Sequence, residues 1–129
     1  MKILITGSRT YKGLHRVRDF LNCLEPYDIV ICGGAQRFDP VTGENTSVDH
    51  EVFLYHKEHP EAFIYNECPA AWEVHGNRAG IVRNLEMLDK MPDLVAAFWN
   101  GESRGTKFVI DAALKRHLDL RVIFDLLYG

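Results

Sequence analysis

Short apolar runs alternate with amphipathic stretches along this chain. Lys2 to Ile5 is a β-rich run that ends at Thr6-Gly7, and Ile29 to Cys32 is a second that ends at Gly33-Gly34. Ala62 to Tyr65 is a third, weaker run, Leu94 to Phe98 is apolar throughout, and Leu120 to Phe124 is a fifth. Strands apolar on both faces suit a parallel sheet covered on both sides. Between them lie helical patterns. Leu14, Val17, Leu21 and Leu24 share one face, and Pro26 stops that helix. Val48 to His59 ends before Pro60, and Ala79 to Lys90 places Val82, Leu85 and Leu88 on one side. Thr106 to His117 aligns Val109, Ile110, Ala113 and Leu114, leaving Lys107, Asp111 and Lys115 for solvent. The order β-α-β-α-β-α-β-α-β predicts one doubly wound α/β domain over residues 1–129, with an open, mainly parallel five-stranded sheet and helices on both faces.

Two stretches fit no element. Residues 35–47 (AQRFDPVTGENTS) are polar and contain Pro40 and Gly43, and residues 66–78 (NECPAAWEVHGNR) hold Pro69, Trp72 and Gly76. Loops of this length in a compact domain are often functional.

Composition narrows the partners. In 129 residues, 15 basic side chains stand against 18 acidic ones, for a formal charge of −3. That disfavours a broad basic surface for nucleic acid and leaves room for a local arginine cluster. No apolar run approaches the ~20 residues of a membrane span, so no membrane partner is expected. The apolar run at Ile3 to Ile5 falls short of a signal peptide, and three widely spaced cysteines (Cys23, Cys32, Cys68) suit a reducing setting, so the expectation is cytoplasmic. His56, His59 and Cys68 lack a paired C-x-x-C, so neither a metal nor a cofactor is expected. Cys32 reads as a small core residue, and Asp111 and Asp125 as solvated charges.

Candidate chemistry gathers where strands end. In open α/β sheets, ligands bind outside the carboxyl ends of the strands. Strand 1 runs into Gly7-Ser8-Arg9-Thr10, strand 2 into Gly33-Gly34-Ala35, and strand 4 into Trp99 and then Ser103-Arg104-Gly105-Thr106. Each turn precedes a helix, directly or after a loop, and helix N-termini present free N–H groups and partial positive charge. Glycines allow close backbone approach. Ser8, Thr10, Ser103 and Thr106 can donate to phosphate oxygens or cap helices, and Arg9 and Arg104 add forked donors. Together these read as a phosphate or phosphoribosyl site. Neither a G-x-G-x-x-G fingerprint nor a Walker A loop is present.

The pieces ILITGSRTY (3–11), GGA (33–35), A-W-x-x-x-G-x-x-A-G-x-x-R-N-x-x-M (71–87) and AFWNGESRGT (97–106) resemble, in order, the SLOG superfamily, in its small YspA/YpsA-related branch. LOG phosphoribohydrolases and the DNA-processing protein DprA belong to the same superfamily. The resemblance implies a Rossmann-like sheet that binds a nucleotide or a nucleotide-derived small molecule. Gly80, Arg83 and Asn84 then fall on the ligand side, with Arg83 reaching a phosphate and Asn84 a base or ribose hydroxyl. Trp72 and Trp99 are candidates either to stack on a base or to pack in the core. The resemblance also implies self-association as a homodimer.

Two departures stand out. The family follows GGA with a short G-A-D turn, whereas here an insertion separates Gly33-Gly34-Ala35 from Ser47-Val48-Asp49. Asp49 is the expected counterpart of the family Asp and Asp39 its rival; a plain dipole role also suffices for Asp49 and Glu51. LOG enzymes carry a catalytic Glu after P-G-G-x-G-T, and here that position is the apolar Val109. The leading expectation is therefore a bacterial or phage nucleotide-ligand-binding protein without assigned catalytic residues. The alternatives are a LOG-like phosphoribohydrolase, with Glu102 as a substitute acid, and a DprA-like single-strand binder or interaction module.

Overall fold

The structure is a computed structural model and describes residues 1–125, so the last four residues of the expected domain lie outside the described residues. Five strands, β1 (Lys2–Gly7), β2 (Ile29–Cys32), β3 (Ile64–Glu67), β4 (Leu94–Trp99) and β5 (Leu120–Phe124), form one sheet in the order β3-β2-β1-β4-β5. Every pairing is parallel. The helices are α1 (Leu14–Asn22), α2 (Val48–Glu58), the single turn α3 (Trp72–His75), α4 (Ala79–Asp89) and α5 (Arg104–Lys115). This is a Rossmann-like open α/β sheet, as the alternation of runs predicts.

Strand alternation sorts side chains into two cores. Ile3, Ile5, Val30, Cys32, Ala96 and Phe98 point to the face covered by α1 and α2, where Val17, Leu21, Val48, Val52 and Tyr55 meet them. Leu4, Ile31 and Val95 point the other way, against Met87 and Leu88 of α4 and Val109 and Ala113 of α5. Tyr11 and Phe20 pack edge-on against Phe98, each with centroids 5.9 Å apart.

Element boundaries shift by small amounts with local causes. The third strand runs over Ile64–Glu67 rather than Ala62–Tyr65, because parallel pairing with β2 sets Ile29 opposite Ile64 and Cys32 opposite Glu67. Helix α5 starts at Arg104, not Thr106: Ser103 is its N-cap, and its Oγ accepts the Thr106 N–H at 3.4 Å. It ends at Lys115, and His117 beyond it adopts φ +57°. The single-turn α3 within 66–78 is too short to leave a periodic signature. Asp125 is not a free surface charge: its carboxylate accepts the N–H groups of Lys12 and Gly13 at 2.5 and 2.9 Å, anchoring the entry to α1.

Gly7, at the end of β1, shows how tightly the two layers meet. A Cβ there would lie closer than 3.0 Å to Cβ, Cγ1 and Cγ2 of Val48, the first residue of α2. Gly7→Ala is therefore expected to destabilise the protein by about 1–3 kcal/mol through overpacking, read as a lowered urea midpoint. Adding Val48→Ala should not restore it, because the Val48 Cβ is itself among the atoms in the way.

Candidate functional site

Strand order reverses direction between β1 and β4, and there the chains leaving the two strands part to opposite faces. A hydrogen-bond knot fixes the parting ends. Ser8 N–H donates to the Phe98 carbonyl at 3.0 Å, and Ser8 Oγ accepts the Asn100 N–H at 3.0 Å. Asn100 Nδ2 donates to the Thr10 carbonyl and Oγ1 at 3.0 and 3.1 Å, while its Oδ1 accepts the Glu102 and Ser103 N–H groups at 2.8 and 2.9 Å. One side chain thus sets both the turn after β1 and the turn that launches α5.

Above this knot lies a cavity of about 630 Å³, a volume ordinary for a small-molecule site. Thr6, Gly7, Arg9 and Thr10 form its β1 wall, and Asn100 with Glu102 to Thr106 its β4 wall. Helix α4 closes one side with Gly80, Arg83, Asn84 and Met87, and Ala35, Arg37 and Asp49 close the other. A smaller lobe of about 410 Å³ adjoins it, bounded by Gly33, Gly34, Pro69 and Ala70; Arg9, Ala35, Trp72 and Arg83 line both lobes.

Most residues expected at a ligand edge therefore meet at one crevice, but several do different work there. Ser8 is fully buried and lines neither lobe; its hydroxyl serves the knot rather than a ligand. Trp99 also lies outside the crevice, because its indole N–H donates to the Ser103 carbonyl at 2.9 Å and its ring packs against Phe124. Trp72 is the exposed aromatic at the junction of the lobes. The glycines after β2 make room for the protein's own side chains. A Cβ on Gly33 would collide with the Arg83 guanidinium, and one on Gly34, at φ +74°, with the Glu67 carboxylate.

Arg83 lies across the end of β2. Its Nη1 donates to the Gly33 carbonyl at 2.9 Å and its Nε to Asn84 Oδ1 at 2.9 Å. Behind it sits Asp49, at the start of α2 and 6% exposed. Asp49 Oδ2 accepts the Ala35 N–H at 3.2 Å, but Oδ1 is buried with no hydrogen-bond partner among the described residues. Burial pushes the Asp49 pKa up, and the charge of Arg83 and the Ala35 N–H pull it back only in part. The Cys32 thiol is fully buried, and burial together with the nearby Asp49 charge raises it well above its usual value, so it is no nucleophile. Asp39, the rival acid, sits in the insertion and caps the N–H groups of Val41 and Thr42 at 2.8 and 3.0 Å.

At the α5 end, Ser103 Oγ and Thr106 Oγ1 bond each other at 3.1 Å, whereas Arg104 and Gly105 are exposed at the first turn. Among the described residues, none of Arg9, Arg37, Arg83 and Arg104 forms a salt bridge. Thr6, Arg37, Asn77 and Asn100 join the crevice without having been singled out from sequence. For Asn100 the signal was available: Asn-Gly after a strand is turn chemistry, and its amide can bridge two turns.

Fold and crevice together define a Rossmann-like α/β protein with an arginine-rich cleft at its switch point. The chain is 33% identical over 121 residues to the Gene 61 protein of Mycobacterium phage D29, covering 88% of this chain and 89% of that one. The chain belongs to the family of that phage protein. No family model matches the chain, and no solved structure matches it.

The buried acid has a pH signature. Asp49's native pKa lies above the usual 3.8, so the native state holds its proton longer than the unfolded chain does. Its contribution to stability therefore declines as pH rises from about 3.8 through the raised native value. Asp49→Asn removes this decline. The melting temperature of the variant relative to wild type is expected to climb between pH 4 and pH 7, and a flat or falling difference would contradict the assignment.

Proposed function

We propose that the crevice binds a nucleotide or another phosphoribosyl ligand, in keeping with the resemblance to SLOG proteins. The observation that carries this reading is the buried, unpartnered Oδ1 of Asp49 in a cleft whose arginines have no carboxylate partners. A buried acceptor without a donor is costly, and because Asp49 lines the cavity a small turn of its carboxylate would let a ligand hydroxyl satisfy it. Unpaired guanidiniums beside the first turn of a helix favour an anion. A phosphorylated sugar supplies both groups on one small molecule. Phosphate would rest against Thr10 and the first turn of α5, with Arg104 at the rim; the sugar would face Asp49 and Asn84. Trp72 offers a face for a base.

Binding without cleavage fits the residues better than hydrolysis. The position that would carry a catalytic Glu is Val109, which is buried in the core beside Met87 and Leu88. Glu102, the remaining acid of the cavity wall besides Asp49, is exposed.

Isothermal titration with AMP, ADP-ribose and cyclic nucleotides tests the proposal. Saturable heat is expected with at least one of them. Arg104→Ala, at an exposed position, should weaken binding about tenfold, or ~1.4 kcal/mol, without moving the melting temperature. Absence of heat with all of them would remove the reading.

A further inference from the structure

The insertion between β2 and α2 is a built hairpin. Phe38 and Asn45 pair as an antiparallel bridge, the Asp39 N–H donates to the Glu44 carbonyl at 2.8 Å, and the Gly43 N–H closes on Asp39 at 2.8 Å. Phe38 packs edge-on against His50 of α2, with centroids 5.3 Å apart. Thr46 then stitches the hairpin to the turn after β1. Its Oγ1 donates to the Arg9 carbonyl at 2.8 Å and lies 3.3 Å from the Arg37 carbonyl, to which its own N–H donates at 2.9 Å; its carbonyl accepts the Tyr11 N–H at 2.9 Å. The backbones of two arginines from distant parts of the chain are thereby tied together at Thr46, and both residues line the larger lobe. Both are exposed, and neither forms a salt bridge among the described residues.

Two guanidiniums that line one lobe without a carboxylate partner favour an anion there. Nothing in the fold requires that arrangement: the hairpin is closed by its own backbone, Asp39 and Thr46, and Arg37 contributes no side-chain bond to it. We infer that Arg9 and Arg37 form a second anion seat that makes the site select ligands carrying a diphosphate over those carrying one phosphate. The inference rests on the proposed phosphoribosyl reading and extends it, with one phosphate at the first turn of α5 and the next at the two arginines. Thr46 acts as a positioning residue.

The test compares AMP with ADP by isothermal titration, and inorganic phosphate with pyrophosphate by thermal shift, so that one arm does not depend on the base. Wild-type protein is expected to bind ADP at least tenfold tighter than AMP and to melt higher in pyrophosphate than in phosphate. Arg37→Ala should abolish both preferences, lowering ADP affinity about tenfold and AMP affinity much less. Thr46→Val should reduce the preference in the same direction while the protein still melts cooperatively. Equal affinity for AMP and ADP together with equal shifts would overturn the second seat and leave the first intact. So would an Arg37→Ala variant that loses AMP and ADP alike. Failure of all four compounds to bind would overturn the second seat, and silence from ADP-ribose and the cyclic nucleotides as well would overturn both readings.

Discussion

Strand β1 has no solvent-facing side. Leu4 faces α4 and α5, Ile3 and Ile5 face α1 and α2, and all three are almost completely buried. Burial on both faces obliges the chain to lay helices on both sides of the sheet. With right-handed crossovers, the only way to do so from the order β3-β2-β1-β4-β5 is to send the exits of β1 and β4 in opposite directions. The crevice is thus a consequence of how the sheet is covered. Its depth depends on the same packing, since α2 approaches so closely at Val48 that Gly7 can carry no side chain.

A crevice produced by divergence is held open only if its rims are tied. Asn100 supplies the tie by bonding the turns after β1 and β4, and Ser8 joins it from below. Thr46 makes a comparable connection between the insertion and the β1 turn. These bonds join segments about 90 and 37 positions apart in sequence, so they set the spacing of the two walls independently of the strand ladder. The arginines stand on these fixed rims, not on free loops.

Much of the architecture was legible because it follows from burial. Short apolar runs and period-3.6 patterns located the strands, the third of them two residues early, and the four long helices, and the glycine turns marked the sheet edge where the crevice lies. What the sequence concealed was which residues line the crevice and which hold the scaffold. Ser8 and Ser103 occupy equivalent Ser-Arg motifs, yet Ser8 is buried under the Asn100 amide while Ser103 caps a helix in the cavity wall. Trp99 and Trp72 look alike as loop tryptophans, but only tertiary packing on Phe124 tells them apart. Gly33 reads as a place for close ligand approach, and it serves close approach by Arg83, fifty residues later. The hairpin of the insertion was equally hidden: its closing bonds are local, but its seating on the β1 turn relies on Thr46 meeting a segment remote in sequence.

Charge placement in the crevice has an internal logic. Asp49 is buried, raised in pKa and only half satisfied, and such a group is usually either removed by evolution or partnered. Arg83 offsets its charge from nearby but spends its mapped bonds on Gly33 and Asn84, leaving Asp49 Oδ1 without a donor. The arginines on the rims are likewise left without carboxylates. Asp49 lies near enough to Arg83 and Arg9 for their charges to lower its pKa, yet no donor among the described residues reaches its Oδ1, and a buried acceptor left so costs stability.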